Sequence, residues 1–91
     1  KDMMYIAYDR LLSFFSIHHA IRAEKILANA GIGVVALPTP REIDISCGHC
    51  LLFIAGDQEQ VISILKAEQI EWNRLFIRNI QERVYEEIES R

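Results

Sequence analysis

Leu11-Leu12-Ser13-Phe14-Phe15-Ser16-Ile17-His18-His19-Ala20 changes its hydrophobic rhythm at one serine, and that change decides the fold. Residues 11–15 form a short apolar and aromatic run, which predicts a buried strand. From Ser16 onward the spacing becomes helical. Ile17, Ala20, Ala23, Leu27 and Ala30 share one face with Ile21 and Ile26 beside it, and His18, Arg22, Lys25 and Asn29 occupy the other. Ser16 is suited to N-cap the helix, because its hydroxyl accepts an otherwise unsatisfied backbone N–H of the first turn. Gly31 suits the left-handed position that ends it.

Working outward, residues 33–37 predict a second strand closed by Pro38, which has no N–H to give to a ladder. A loop from Pro38 to about Gly48 leads to a third strand over 50–54. Asp57 with Gln60 three positions on reads as a capping box for a helix ending near Gln69, with Val61, Ile62, Ile64 and Leu65 on its apolar side. A fourth strand follows over 72–77. The order strand, helix, strand, strand, helix, strand predicts an α+β, ferredoxin-like βαββαβ sandwich with a four-stranded antiparallel sheet over residues 11–77. Residues 1–10 read as an N-terminal extension or an additional strand. In residues 78–91, Ile80, Val84 and Ile88 recur every four positions among glutamates, which predicts an extra C-terminal amphipathic helix whose apolar stripe packs on this core or, in a homodimer, on a second subunit.

The chain has 91 residues, 51% of them apolar, which is enough for one core and too little for two ordinary domains. Thirteen acids against ten bases give a net charge of −3, and the bases are scattered, so a phosphate-binding face for nucleic acid is not expected. No apolar run approaches the roughly 20 residues a spanning helix needs, and the first residues lack a signal-peptide pattern. Two cysteines three positions apart are too few for a secreted disulfide framework. A soluble, cytoplasmic domain without membrane association is the expectation.

In a split βαβ unit the first two strands are parallel and end at one edge of the sheet. That edge then gathers Ser16, His18 and His19 at a helix start and Thr39, Arg41, Ser46, Cys47 and Gly48 on the loop. A helix N-terminus carries unpaired N–H groups and about half a positive charge, and so lowers the pKa of a nearby thiol. Arg41 and a protonated His19 act in the same direction. Gly48 leaves a sulfur beside it approachable.

These residues form a pattern: Phe15-Ser16-x-His18-His19-Ala20, Ala23-Glu24-Lys25-x-Leu27, Pro38-Thr39-Pro40-Arg41-Glu42-Ile43 and Ser46-Cys47-Gly48. Over about residues 11–77 it resembles a small bacterial family described as selenium or sulfur carrier-like. The resemblance implies a carrier rather than a turnover enzyme, with Cys47 holding sulfur or selenium as a persulfide or selenosulfide and no resident cofactor. It further implies a donor protein such as a cysteine desulfurase as partner. Cys50 and the C-terminal segment depart from the family pattern as we know it.

Three other readings compete. A non-enzymatic module would use the same edge to bind an anion or a partner's tail. Cys47-Gly48-His49-Cys50 has the spacing of a dithiol redox site, although a strand rather than a helix follows it. Cys47, His49 and Cys50 supply metal-ligating atoms, but not at a standard zinc spacing. Cys50, at the start of a strand, reads mainly as packing, and adjacent His18 and His19 diverge by about 100° on a helix, so His19 is taken as the one nearer Cys47.

Overall fold

A computed structural model describes residues 8–40, 48–79 and 84–90. The elements run β1 (Arg10–Ser13), α1 (Ile17–Asn29), β2 (Val35–Pro38), β3 (His49–Phe53), a 3₁₀ turn (Ala55–Asp57), α2 (Gln58–Ala67), β4 (Arg74–Asn79) and β5 (Val84–Ser90). The sheet order is β2-β3-β1-β4-β5, and every neighbouring pair is antiparallel. β3 therefore lies between β1 and β2, which are parallel to each other.

The sheet is larger than the four-stranded ferredoxin-like sandwich expected, because the C-terminal segment is a strand and not a helix. A repeat of four is also an even number, so Ile80, Val84 and Ile88 satisfy the strand period of two as well as the helical one. Val84, Tyr85 and Ile88 favour strands, and β4 otherwise leaves a long edge unpaired. Cross-strand contacts secure β5. Arg74 meets Glu87 at 3.5 Å, and Phe76 meets Tyr85 edge to face at 6.5 Å. Between the Leu75–Glu89 and Phe76–Glu87 pairs β5 has one residue too many, a bulge at Ile88. The homodimer expected through a C-terminal helix thus loses its element. Of the N-terminal extension, Arg10 opens β1, and residues 1–7 lie outside the described residues.

Side chains alternate across β1, and both of its faces are buried. Leu12 and Phe14 join Leu51, Phe53 and Leu75 under the helices, where Ala20, Ala23 and Leu27 of α1 and Val61 and Leu65 of α2 complete the main core. Leu11 turns to the other face, with Cys50, Leu52 and Phe76, against Tyr8, Val35, Leu37 and Tyr85. Among the described residues, the one polar residue buried with the core is Ser13. Its hydroxyl accepts from Arg74 N at 3.1 Å and donates to Arg74 O at 3.3 Å, so it fastens β1 to β4.

Both helices end in the same device. At the end of α1, Gly31 N donates to Ala28 O and Ile32 N to Leu27 O, with Gly31 at φ +83°. At the end of α2, Gln69 N donates to Lys66 O and Ile70 N to Leu65 O, with Gln69 at φ +58°. These are Schellman motifs, each closed by a buried apolar pair. The start of α2 differs from the capping box read in the sequence. Asp57 is not extended (φ −97°, ψ 2°) and its side chain caps nothing. Instead the Asp9 carboxylate, at the foot of β1, accepts Ala55 N at 3.1 Å, and Arg10 Nε donates to Gln58 Oε1 at 2.7 Å. The helix is anchored by a residue 46 positions away.

The two C-cap positions make opposite predictions. Gly31→Ala places a Cβ in the left-handed region and costs about 1 kcal/mol, whereas Gln69→Gly relieves the same strain and gains roughly 0.5 kcal/mol after the entropy of glycine is subtracted. Urea midpoints of the two variants at unchanged slope would show the opposite signs.

Candidate functional site

The edge predicted to collect the site is present as a place. β1 ends at Ser13, α1 begins at Ile17, β2 ends at Pro38 and β3 begins at His49, all on one rim. Ser16 is the N-cap, extended at φ −142° and ψ 152°, and its Oγ accepts His19 N at 3.3 Å. On the other side Thr39 N donates to Gly48 O at 3.0 Å, which closes the base of the loop. Gly48 has φ +118°, a conformation that side-chain-bearing residues rarely adopt. Arg41, Ser46 and Cys47 lie outside the described residues.

The two histidines part company. His19 Nδ1 accepts the backbone N–H of Glu71 at 3.3 Å, which turns this ring toward the start of β4. Gly48 leads into β3 on the other side of β1. β3 and β4 are two strand spacings apart, about 10 Å. His19 thus has a structural partner on the far side of β1 from the loop. His18 is exposed, its ring edge-on to His19 with centroids 5.9 Å apart.

Cys50 and His49 leave β3 on opposite faces, as successive strand residues must. Cys50 is 0% exposed among Leu11, Leu52 and Phe76, and its thiol donates weakly to Leu37 O at 3.6 Å. Burial pushes this thiol up from its ordinary 9.0 to about 12, against a smaller opposing effect of a hydrogen bond with the Thr39 side chain. It is a protonated packing group at neutral pH. Thr39, expected as a binding residue, is tied to Cys50. His49 shares the parity of Leu51, on the helix side, and its Nδ1 is buried without a hydrogen-bond partner. Because His49 and Cys50 leave β3 on opposite faces, the two cannot turn together toward one metal ion, as a Cys47, His49 and Cys50 centre would need. Among the described residues no group of three or more His, Cys, Asp or Glu could hold a metal ion, and no helix is long and apolar enough to cross a membrane.

The comparisons with known proteins bear on this rim. Residues 9–77 match the family model described as "Putative Se/S carrier protein-like". The chain belongs to that family. The match runs from the residue that caps the 3₁₀ turn to the middle of β4, and so takes in the whole rim, while β5 lies beyond it. No curated protein and no solved structure matches the chain. The family name agrees with the resemblance read from the Pro38-Thr39-Pro40-Arg41 and Ser46-Cys47-Gly48 blocks.

Local reading missed three features of the carrier-like domain's rim. The bond from Glu71 to His19 spans 52 positions and the Ser13 clasp on Arg74 spans 61, so neither leaves a local trace. Phe15 did leave one. It is an aromatic residue at a strand-to-helix turn, read as part of a buried strand and found 62% exposed.

The Cys50 thiol gives a pH prediction. The folded state holds its proton to about pH 12 while the unfolded state releases it near 9.0, so stability falls as pH rises through that window. The slope attributable to Cys50 reaches about 1.4 kcal/mol per pH unit. Denaturant titrations at pH 8, 9 and 10 should show a steeper alkaline loss for the wild type than for Cys50→Ala.

Proposed function

We propose that this domain carries sulfane sulfur, or selenium, covalently on Cys47. The family match over residues 9–77 is the observation that carries the reading. The rim supports it in three ways. Chain continuity ties Cys47 to Gly48, whose carbonyl is fixed by Thr39 N and whose positive φ requires glycine. The start of α1 stands on the same rim, and its first-turn N–H groups and dipole favour an anion there. His49 Nδ1, in the residue after Gly48, is a buried polar atom with no partner, a state that calls for one.

The transfer needs no oxidant. The Cys47 thiolate attacks the outer sulfur of a donor persulfide R–S–SH. A new Cys47 S–S bond forms, the donor S–S bond breaks, and the donor leaves as its thiolate. The terminal –SH stays on Cys47 and ionises readily, which is where the positive end of α1 and Arg41 would act. A selenium atom in the outer position moves by the same displacement. Redox state is conserved because one thiol is exchanged for another.

Cys50 sets this reading against the dithiol alternative. A resolving cysteine must reach its partner as a thiolate, and Cys50 is buried with its pKa pushed up to about 12. The carrier therefore works with one cysteine. Ser16, Arg41, Ser46 and Gly48 are assigned to holding the anionic forms, with His18 the histidine left toward solvent.

Incubation with a low-molecular-weight persulfide followed by intact-mass measurement tests the proposal. The expected result is one added sulfur atom on the wild type and on Cys50→Ala, and none on Cys47→Ser. Addition to Cys47→Ser at the wild-type level, or none to the wild type, rejects it.

A further inference from the structure

We propose that Phe15, Ile17 and Ile21 form a transient docking surface for a separate protein that bears the cargo on a thiol of its own. The proposal rests on the carrier reading. It names the part of the surface that such a partner touches.

The exposures come first. Phe15 is 62% exposed, Ile17 50% and Ile21 45%, three of the five large apolar side chains most open to solvent among the described residues. They are close in the chain: Phe15 immediately precedes the N-cap Ser16, and Ile17 and Ile21 stack one turn apart on α1. The remaining two, Val84 and Ile88, lie on β5 at the opposite side of the sheet.

Their direction follows from His19. At 100° per residue Ile17 and Ile21 both lie about 160° around α1 from His19. His19 is fixed toward β4 by its bond with Glu71 N. The two isoleucines therefore overhang the other flank, toward β3 and β2, where Thr39 N and Gly48 O close the base of the loop. The core face of α1, Ala20, Ala23 and Leu27, lies between these flanks and against the sheet. An apolar patch thus borders the place where the chain leaves for Cys47 and returns.

Size selects the occupant. Three side chains at about half exposure offer on the order of 300 Å², whereas a stable dimer buries about 800 Å² on each partner. A patch of this size suits an encounter that forms and dissolves, as delivery from one protein thiol to another requires. Small persulfides need no such surface. The patch should therefore matter for cargo arriving on a protein and be irrelevant for cargo arriving free in solution.

A two-donor experiment separates the claims. Full-length wild type and Ile17→Gln/Ile21→Gln are each given a low-molecular-weight persulfide, or a cysteine desulfurase with cysteine, and the rate of sulfur addition is followed by intact mass. Glutamine keeps helix propensity, so the small donor also reports that the variant is folded. The expected result is an unchanged rate from the small donor and a loss of about tenfold or more from the protein donor. Equal rates for both proteins from the desulfurase overturn the docking surface and leave the carrier reading standing, and so does a wild type that accepts only from the small donor. A wild type that accepts from neither overturns both. Sedimentation showing a wild-type dimer that the double substitution abolishes would assign the patch to a second copy and overturn the proposal.

Discussion

The position of β1 between β3 and β4 is the constraint from which the rest of this molecule follows. It is the central strand of the sheet, and like β3 and β4 it has a neighbour on each side and a buried residue on each face: Leu11 and Leu12 are each 0% exposed, one per face. Two fully buried leucines contribute several kcal/mol of apolar burial, and the alternation of a strand gives no freedom to trade one face for the other. A slip of one residue would exchange Leu11 with Leu12 and push Ser13 under the helices. The bonds between Ser13 and Arg74 then fix the register, because a buried hydroxyl moved off its partners costs about 1–3 kcal/mol.

From that register the rim is assembled without further adjustment. Ser13 stands opposite Cys50, which stands opposite Leu37, so the end of β1, the start of β3 and the end of β2 are level. The chain can leave β1 only through Phe14 and Phe15, and it reverses into α1 at the Ser16 cap. Cys50 is consequently carried into the face away from the helices, and one residue earlier His49 is carried toward them. Cys50, the second cysteine of Cys47-Gly48-His49-Cys50, therefore belongs to the sheet, where burial holds its proton.

Much of this was legible in the residues because it is local. Ser16 as cap, α1 from Ile17, its stop at Gly31, and the strand that begins beside Cys50 all follow from period and turn chemistry. The places where reading failed are those where distant residues compete with local ones. Asp57 was in the right position to cap α2, but the Asp9 carboxylate and the Arg10–Gln58 bond secure that turn from across the sheet. His19 was aimed at the loop until Glu71 N took its Nδ1. The C-terminal segment was read as a helix since a spacing of four serves both periods. What decides it is the open edge of β4, with Arg74 and Phe76 placed to receive Glu87 and Tyr85. The proposed site was legible only as a pattern of residue types, because Arg41, Ser46 and Cys47 lie outside the described residues and their proposed roles rest on the sequence blocks.

The two exposed apolar regions differ in how they are guarded. β5 is the edge of the sheet, where unsatisfied backbone invites pairing with another chain, and there Val84 and Ile88 are interspersed with Glu86, Glu87 and Glu89 and kinked by a bulge. Charge and bulge are the usual protection of such an edge. Around Phe15, Ile17 and Ile21 the guard is lighter: the Ser16 hydroxyl caps α1, His18 and Arg22 lie toward its polar face, and the charged neighbours of Ile21 are Glu24 and Lys25, one turn further on. A chain that places three acids along its vulnerable edge and leaves a phenylalanine and two isoleucines open beside the loop treats the two surfaces differently. Helix formation does not demand it, since glutamine or lysine at 17 and 21 would serve α1 as well in propensity. The exposed isoleucines are a cost in solubility that helix propensity does not explain, and the docking surface proposed above accounts for it.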